Sequence, residues 1–515
     1  MPRHQAATKH RVRNRVGAGA VVLSVLAVGV GGVPWVGGPG VAEVAEAASD
    51  LDLRTQEGYA AAHGKQGSLE PATDAGRPAQ AGPTPQGACG TGSRPETDIQ
   101  GRVPQADYAS GRAAEGYTCN VEQVAQYGKA GGYKVHRYTD AGGRSCAFYD
   151  STLLFPKDAA DDLTGTYVMD MTDPAKPVRT AVLSTPAMQT PHESLVLSET
   201  RGLLMAVSGN PVTEPGIVDI YDVSQDCRQP VLRSSTPLGI LGHESGLTPD
   251  GNTFYVSSLQ GGTIVALDVS KPVLPRIVWT STEYKVHGMN LSNDGNRLYA
   301  ADNKRPGLTI LDVTQVQQRA LNPQVTEVSH LTWPEVSIPQ NLLPVTIGGK
   351  PFLVEIDEFA RKVSGSYDPA SPVGAGRMID ISDEKAPRVV SDLRLAVNEP
   401  EARAGQQKDD PQAQNGLQGY AGHYCSVPRR EDPEIVACSF ILSGLRFFDI
   451  SDPYRPREVA YFNKPTMPNP LARDSGAYAM SAPAFVPERK EVWYTDGNSG
   501  LYVLRLTNGV WGKKG

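Results

Sequence analysis

The chain has 515 residues, with 49 Lys and Arg against 56 Asp and Glu, a net charge of −7 and 39% hydrophobic content. Its length excludes a disulfide-held mini-protein, and its apolar content excludes a chain that is disordered throughout. Its 53 Gly and 41 Pro exceed average usage of about 12% for the two together, as many turns between short elements would require. Beyond roughly 250 residues a chain divides into domains unless it forms a closed β architecture or a repeat array.

At the start of the chain, Arg3, Lys9, Arg11, Arg13 and Arg15 precede an uncharged Gly/Ala/Val/Leu-rich run from Val16 to Val36. Ala45-Glu46-Ala47 then offers small residues at the spacing of a signal-peptidase site. Residues 1–47 read as a signal peptide, and the mature chain as secreted. An uncleaved anchor is the alternative, since the run is long enough to span a bilayer, but its glycines, Pro34 and the Ala-rich stretch beyond favour cleavage. No second long apolar run follows, so no membrane association is expected after cleavage. Loss of the leader leaves 44 basic against 54 acidic residues, a balance that discourages nucleic acid, which needs clustered cations. Residues 48–111, rich in Ala, Gly, Pro, Gln and Thr, read as a low-complexity, extended or disordered linker, with Cys89 in its later part able to pin it to the folded body.

The six cysteines of an exported chain imply disulfides. Cys425 and Cys438 flank two apolar segments joined by the charged turn Arg429 to Pro433, and neighbouring antiparallel strands would bring them within bonding reach. The pairing of Cys89, Cys119, Cys146 and Cys227 stays open. No CxxC pair suggests a zinc finger.

Between residues 115 and 511 one pattern returns: a Gly, an alternating apolar strand ending in Asp, then Ser or Thr, often with Asp-Pro and a second Pro. It is centred on Asp170, Asp222, Asp268, Asp312, Asp380 and Asp449, with a degenerate copy at Arg505. Ahead of it stand two more strands. They are clearest around Asp250-Gly251 and Asp294-Gly295, a tight-turn signal because such hairpins need positive φ. With the segment after the prolines, each repeat supplies four short strands. A four-stranded sheet cannot bury both faces alone, so the units must stack, and radial stacking gives an all-β, seven-bladed propeller of antiparallel blades. A segment near Tyr133–Tyr138 is predicted to supply the strand missing after the last repeat. The motif Asp residues are expected to cap turns through side-chain to backbone hydrogen bonds.

The Asp-Val-Ser-Asp-Pro-x-x-Pro pattern resembles the LVIVD repeat, a propeller module of secreted and surface bacterial proteins. Gly116-Tyr-Thr-Cys119-Asn-Val-Glu, with Ser145-Cys146 further on, is similar to the lead-in of long actinobacterial members. The resemblance implies fold and location rather than activity.

His192, His243, His287 and His423 each precede the first strand of a repeat. Three keep one register, while alignment places Glu193 level with them in place of His192, and Asn341 and Ala482 in the remaining intervals. In a propeller the first strands line the central channel, so these side chains would converge on one axis. Imidazoles with a carboxylate there would suit a first-row transition metal ion. Glu355, Asp357 and Glu358 could add alternate carboxylates. His136 and His330 fall off register and read as loop or surface residues. Ser194 and Ser245 lack the Gly-x-Ser-x-Gly turn of a nucleophile elbow. The polar insertions 360–373 and 396–419 could shape one face. Two functions follow: a non-catalytic propeller that binds a ligand or extracellular protein at its channel and loop face, or a metal-dependent enzyme, an oxidoreductase, with an axial histidine cluster.

Overall fold

The computed structural model describes residues 80–151, 164–209, 216–239, 242–258, 261–334, 336–359, 373–402, 419–466 and 476–512. The signal peptide, the linker up to residue 79 and most of both polar insertions lie outside them.

Seven antiparallel sheets form the blades of a propeller. The inner strands, in blade order, are Val135–Thr139, Val196–Ser198, Glu244–Leu247, Val286–Leu291, Ile338–Ile347, Gly422–Ser426 and Ala484–Val486. Three further strands follow outward in each of blades one to five. The Asp-Gly hairpins sit between the first and second strands of blades three and four, with Gly251 at φ 69° and Gly295 at φ 74°. Each motif occupies a third strand, and its Asp accepts the N–H two residues on: Thr172, Ser224, Ser270, Thr314, Ser382 and Ser451, at 2.9–3.1 Å. The recurring Asp is therefore a turn cap.

Second strands read as nearly continuous apolar runs because both of their faces meet a neighbouring blade. In blade five, Phe352, Val354 and Ile356 pack with Val436, Phe440 and Phe448 of blade six, whereas Leu353 packs toward Tyr299 and Ile310 of blade four.

The ring closes differently from the sequence expectation. Val121–Tyr127 pairs with Gly500–Leu506 and completes blade seven from outside. The segment expected to do so forms the inner strand of blade one. Both stretches alternate apolar and polar residues, so periodicity alone cannot rank them. Blade six also gains a fifth, outermost strand, Tyr117–Cys119.

From Gln80 onward the residues read as linker pack against the body, with Gln105–Ser110 helical, and the packing has a clear cause. Thr84 N–H donates to Arg394 O at 2.8 Å. Glu96 forms a buried ion pair with Arg446, which also reaches Glu458 at 3.1 Å, and Gln86 and Gln100 each donate to Glu458 at 2.8 Å. A buried guanidinium in blade six requires these partners.

Disulfides join Cys89 to Cys119, Cys146 to Cys227 and Cys425 to Cys438. The last pair faces across the first and second strands of blade six, in the register the sequence suggests. No helix among the described residues is long and apolar enough to cross a membrane.

Two outcomes are expected. A chain starting at Gln80 should keep the melting temperature of the full protein, whereas one starting at Gly128 should expose the Gly500–Leu506 edge and aggregate on size-exclusion chromatography. Replacing Cys146 and Cys227 by Ser opens a loop of sequence separation 81, and thermal unfolding should register a loss of about 2–5 kcal/mol.

Candidate metal centre

The start of each inner strand meets the axis, and four histidines arrive there from blades two, three, four and six. The ring of His192 lies 4.5 Å from that of His243, which lies 4.8 Å from that of His287. Tyr133 closes the circle between His192 and His423, at 4.6 and 5.4 Å. The Glu193 carboxylate sits among them. Its Oε2 is 3.3 Å from both His243 Nε2 and His287 Nε2, and its Oε1 is 3.1 Å from His423 Nε2. His192 Nδ1 is 3.9 Å from Oε2.

Backbone geometry explains how two successive residues reach one axis. Side chains alternate along a strand, yet His192 has φ 50°, and this left-handed turn brings His192 and Glu193 to the same side. Such a conformation costs a bulky residue on the order of 1–2 kcal/mol. Two glycines make room for the ring: a Cβ on Gly209 would lie 2.3 Å from His192 Cβ, and one on Gly288 would lie 1.9 Å from Gln340 O.

Partners on the far side of the rings aim the nitrogens inward. His423 Nδ1 is 2.8 Å from Met480 O and His287 Nδ1 is 3.2 Å from Pro339 O. A carbonyl can only accept, so each Nδ1 donates, and Nε2 of the neutral ring presents its lone pair to the axis. Four buried atoms facing this space have no hydrogen-bond partner: His192 Nδ1, Glu193 Oε2, His243 Nε2 and His423 Nε2. They lie in ion-pair contact at 3.1–3.9 Å, so what they lack is a well-aligned hydrogen bond. Donors about 2.1 Å from a common ion lie on the order of 3.0–3.4 Å from their neighbours, which matches the separations between Glu193 and the three Nε2 atoms.

The three carboxylates of Phe352–Phe359 divide. Glu358 reaches the axis, 3.3 Å from His423 Nε2 and 3.5 Å from His287 Nδ1. Glu355 and Asp357 do not line the channel. Both face Arg377, and Trp333 Nε1 donates to Asp357 at 2.9 Å. His136 and His330 stand outside the cluster, as their register implies, but on strands and half-buried rather than on loops or the surface: His136 meets Leu195 O at 2.8 Å and His330 meets Thr309 Oγ1 at 3.0 Å. Asn341 receives a hydrogen bond from Asn290 at 2.9 Å.

Beneath the histidines a second tier crosses the channel. Lys134 pairs with Glu244, and Tyr424 O–H donates to Glu244 at 2.7 Å. Sequence reasoning missed Lys134 and Tyr133 because their strand was assigned to closure. Glu244 and Tyr424 were legible, each directly following an axial histidine.

Burial holds the His192 imidazole down at about 3, helped by neighbouring His243. For His287 and His423 burial also pushes down, but the carboxylates of Glu358 and Glu193 outweigh it and bring both up to about 9. Burial raises the Glu193 carboxyl, and the surrounding imidazoles overcome this and hold it well below its usual range. Burial lifts Glu244 to about 7 against the pull of Lys134.

No protein-family model matches the chain, and no curated protein matches it. Among solved structures it is similar to a β-propeller domain from Myceliophteria thermophila, with 12% identity, a TM-score of 0.47 and coverage of 75% of this chain and 100% of that one. It is likewise similar to a periplasmic gluconolactonase from Pseudomonas aeruginosa, with 17% identity, a TM-score of 0.47 and coverage of 66% and 86%. At such identities and scores no activity transfers.

The pKa directions fix a pH response. His287 and His423 are raised from 6.5 to about 9, so their stabilisation is fully present below 6.5 and is lost as pH rises through 9. His192 stays neutral across that window, and the Glu244 penalty is complete just above pH 7. The melting temperature of chelator-treated protein should therefore fall between pH 7 and 9, and His287→Gln with His423→Gln should flatten the slope.

Proposed function

We propose that the protein is an exported propeller that holds a first-row transition metal ion on its axis through His192, Glu193, His243, His287 and His423, as the seat of a metal-dependent oxidoreductase reaction. The observation that carries this reading is the set of four donor atoms without hydrogen bonds that meet in one buried space. The donors are imidazole nitrogen and carboxylate oxygen, and the described cysteines are all in disulfides, a set that suits Fe, Mn, Zn or Cu(II) rather than Cu(I) or an iron–sulfur cluster. Such an ion would supply Lewis-acid or one-electron chemistry.

The chain's own residues do the rest. Met480 O and Pro339 O fix two rings, and the carboxylates of Glu193 and Glu358 balance cationic charge. Lys134, Glu244 and Tyr424 divide the cluster from the other end of the channel. That end holds a cavity of about 450 Å³ lined by residues such as His136, Arg137, Glu199, Val427 and Phe485. The cavity favours a second reading, in which a ligand is bound at this mouth without catalysis.

The three disulfides agree with an oxidising compartment, and the leader-like sequence of residues 1–47 supports secretion. The seven motif copies on third strands support assignment of the repeats to the LVIVD type.

Metal analysis of full-length protein purified without chelator should find at least one first-row ion per chain. Each single His→Ala change in the cluster should weaken binding by at least ~100-fold, the upper range for groups that merely orient ligands, with the circular dichroism spectrum unchanged. A metal-free preparation that takes up no Mn, Fe, Zn or Cu in calorimetry would overturn the reading.

A further inference from the structure

We infer that the axial cluster is built for two metal ions bridged by the Glu193 carboxylate, with Glu358 as a ligand of the second. This rests on the cluster being a metal centre and adds a site to it. The donors separate into two groups that share Glu193. In one, donor atoms of His192, Glu193 and His243 all lie within 4.8 Å of one another; in the other, those of Glu193, Glu358 and His423 do.

The two oxygens of Glu193 serve different groups. Oε2 faces His243 Nε2 and His287 Nε2, each at 3.3 Å, with His192 Nδ1 beyond at 3.9 Å. Oε1 faces His423 Nε2 at 3.1 Å, and the same nitrogen is 3.3 Å from Glu358 Oε2. A lone ion on the Oε2 side would leave His423 Nε2, on a fully buried side chain, in contact only with the carboxylates of Glu193 and Glu358. A lone ion on the Oε1 side would leave His192 Nδ1 and His243 Nε2 facing only Glu193 Oε2, at 3.9 and 3.3 Å. Two ions give a ligand bond to each of the four atoms that lack a hydrogen bond.

Backbone strain points the same way, with one left-handed residue beside each group. His192 has φ 50° and belongs to the first group; Phe359, directly after Glu358, has φ 54°. Strain of this kind persists where surrounding structure enforces it, and it gathers at functional sites.

The two groups differ in chemistry. The first, with the imidazoles of His192 and His243 and one carboxylate oxygen, is nitrogen-rich. The second, with one imidazole and two carboxylates, is oxygen-rich and harder, and suits Mn or Fe. Ions sharing a carboxylate sit about 3.5–4 Å apart, close enough to clamp one oxygen of a substrate between them. An oxygen-donor substrate is therefore the class the centre would take.

The test uses full-length protein stripped by chelator, reloaded with Mn(II) alone and desalted. The wild type should retain two Mn per chain, with an electron paramagnetic resonance signal weaker than that of two isolated ions because the pair is coupled. E358Q, and independently H423Q, should retain one Mn and recover the six-line signal of an isolated ion. A wild type that saturates at one Mn overturns the inference while leaving the single-ion reading intact, whereas no Mn, with no other metal taken up, overturns both. Two Mn in the wild type and in both variants would also overturn it, because the second ion would then lie elsewhere.

Discussion

The backbone hydrogen bonds between blades one and seven, Val135 N–H to Ala482 O at 2.9 Å and Ala482 N–H to Tyr133 O at 2.8 Å, seal the inner ring on which the rest of the molecule depends. With the first and last inner strands joined, successive strand starts must converge, and side chains separated by more than two hundred residues become neighbours. Val121–Tyr127 performs the same service on the outside, where an unpaired strand edge would invite aggregation. The axial cluster is a consequence of this closure. No single blade holds more than two of its donors.

Electrostatics then determines what the cluster can be. Buried carboxylates among buried imidazoles are costly unless each charge is matched. Without a cation, protons on His287 and His423 balance Glu193 and Glu358, yet four polar atoms still face the axis without hydrogen bonds. A bound metal ion, as proposed, would replace those protons and offer these atoms ligand bonds. Its uptake would therefore release protons. The tier below, with Lys134 paired to Glu244, keeps a third carboxylate from adding uncompensated charge to the same space.

Much of this was legible in the chain because the repeat carries it. The Asp that ends the third strand in six of the seven blades, the Asp-Gly turns and the shared register of His243, His287 and His423 are local signals repeated often enough to define blades and channel. What escaped was non-local. Val121–Tyr127 and the stretch around Tyr133 present the same alternation, and only the identity of the blade each one joins distinguishes them. The order of residues 80–111 depends on Arg446 and Glu458, buried partners more than three hundred residues away. The competition between His192 and Glu193 was resolved by a left-handed φ that a period-two pattern does not encode, so both residues reach the axis. Similarly, alternation made Glu355 and Asp357 as plausible as Glu358, but the first two answer the buried guanidinium of Arg377.

Whether an ion occupies the space around Glu193 decides what the axial cluster is for. Crystals of full-length protein prepared without chelator, with anomalous diffraction collected at the Mn, Fe, Cu and Zn absorption edges, would show it. The proposed centre requires an anomalous peak about 2.0–2.2 Å from Glu193 and from nitrogens of the surrounding histidines. An axial space free of anomalous signal, with the four donor atoms hydrogen-bonded to ordered water instead, would contradict it.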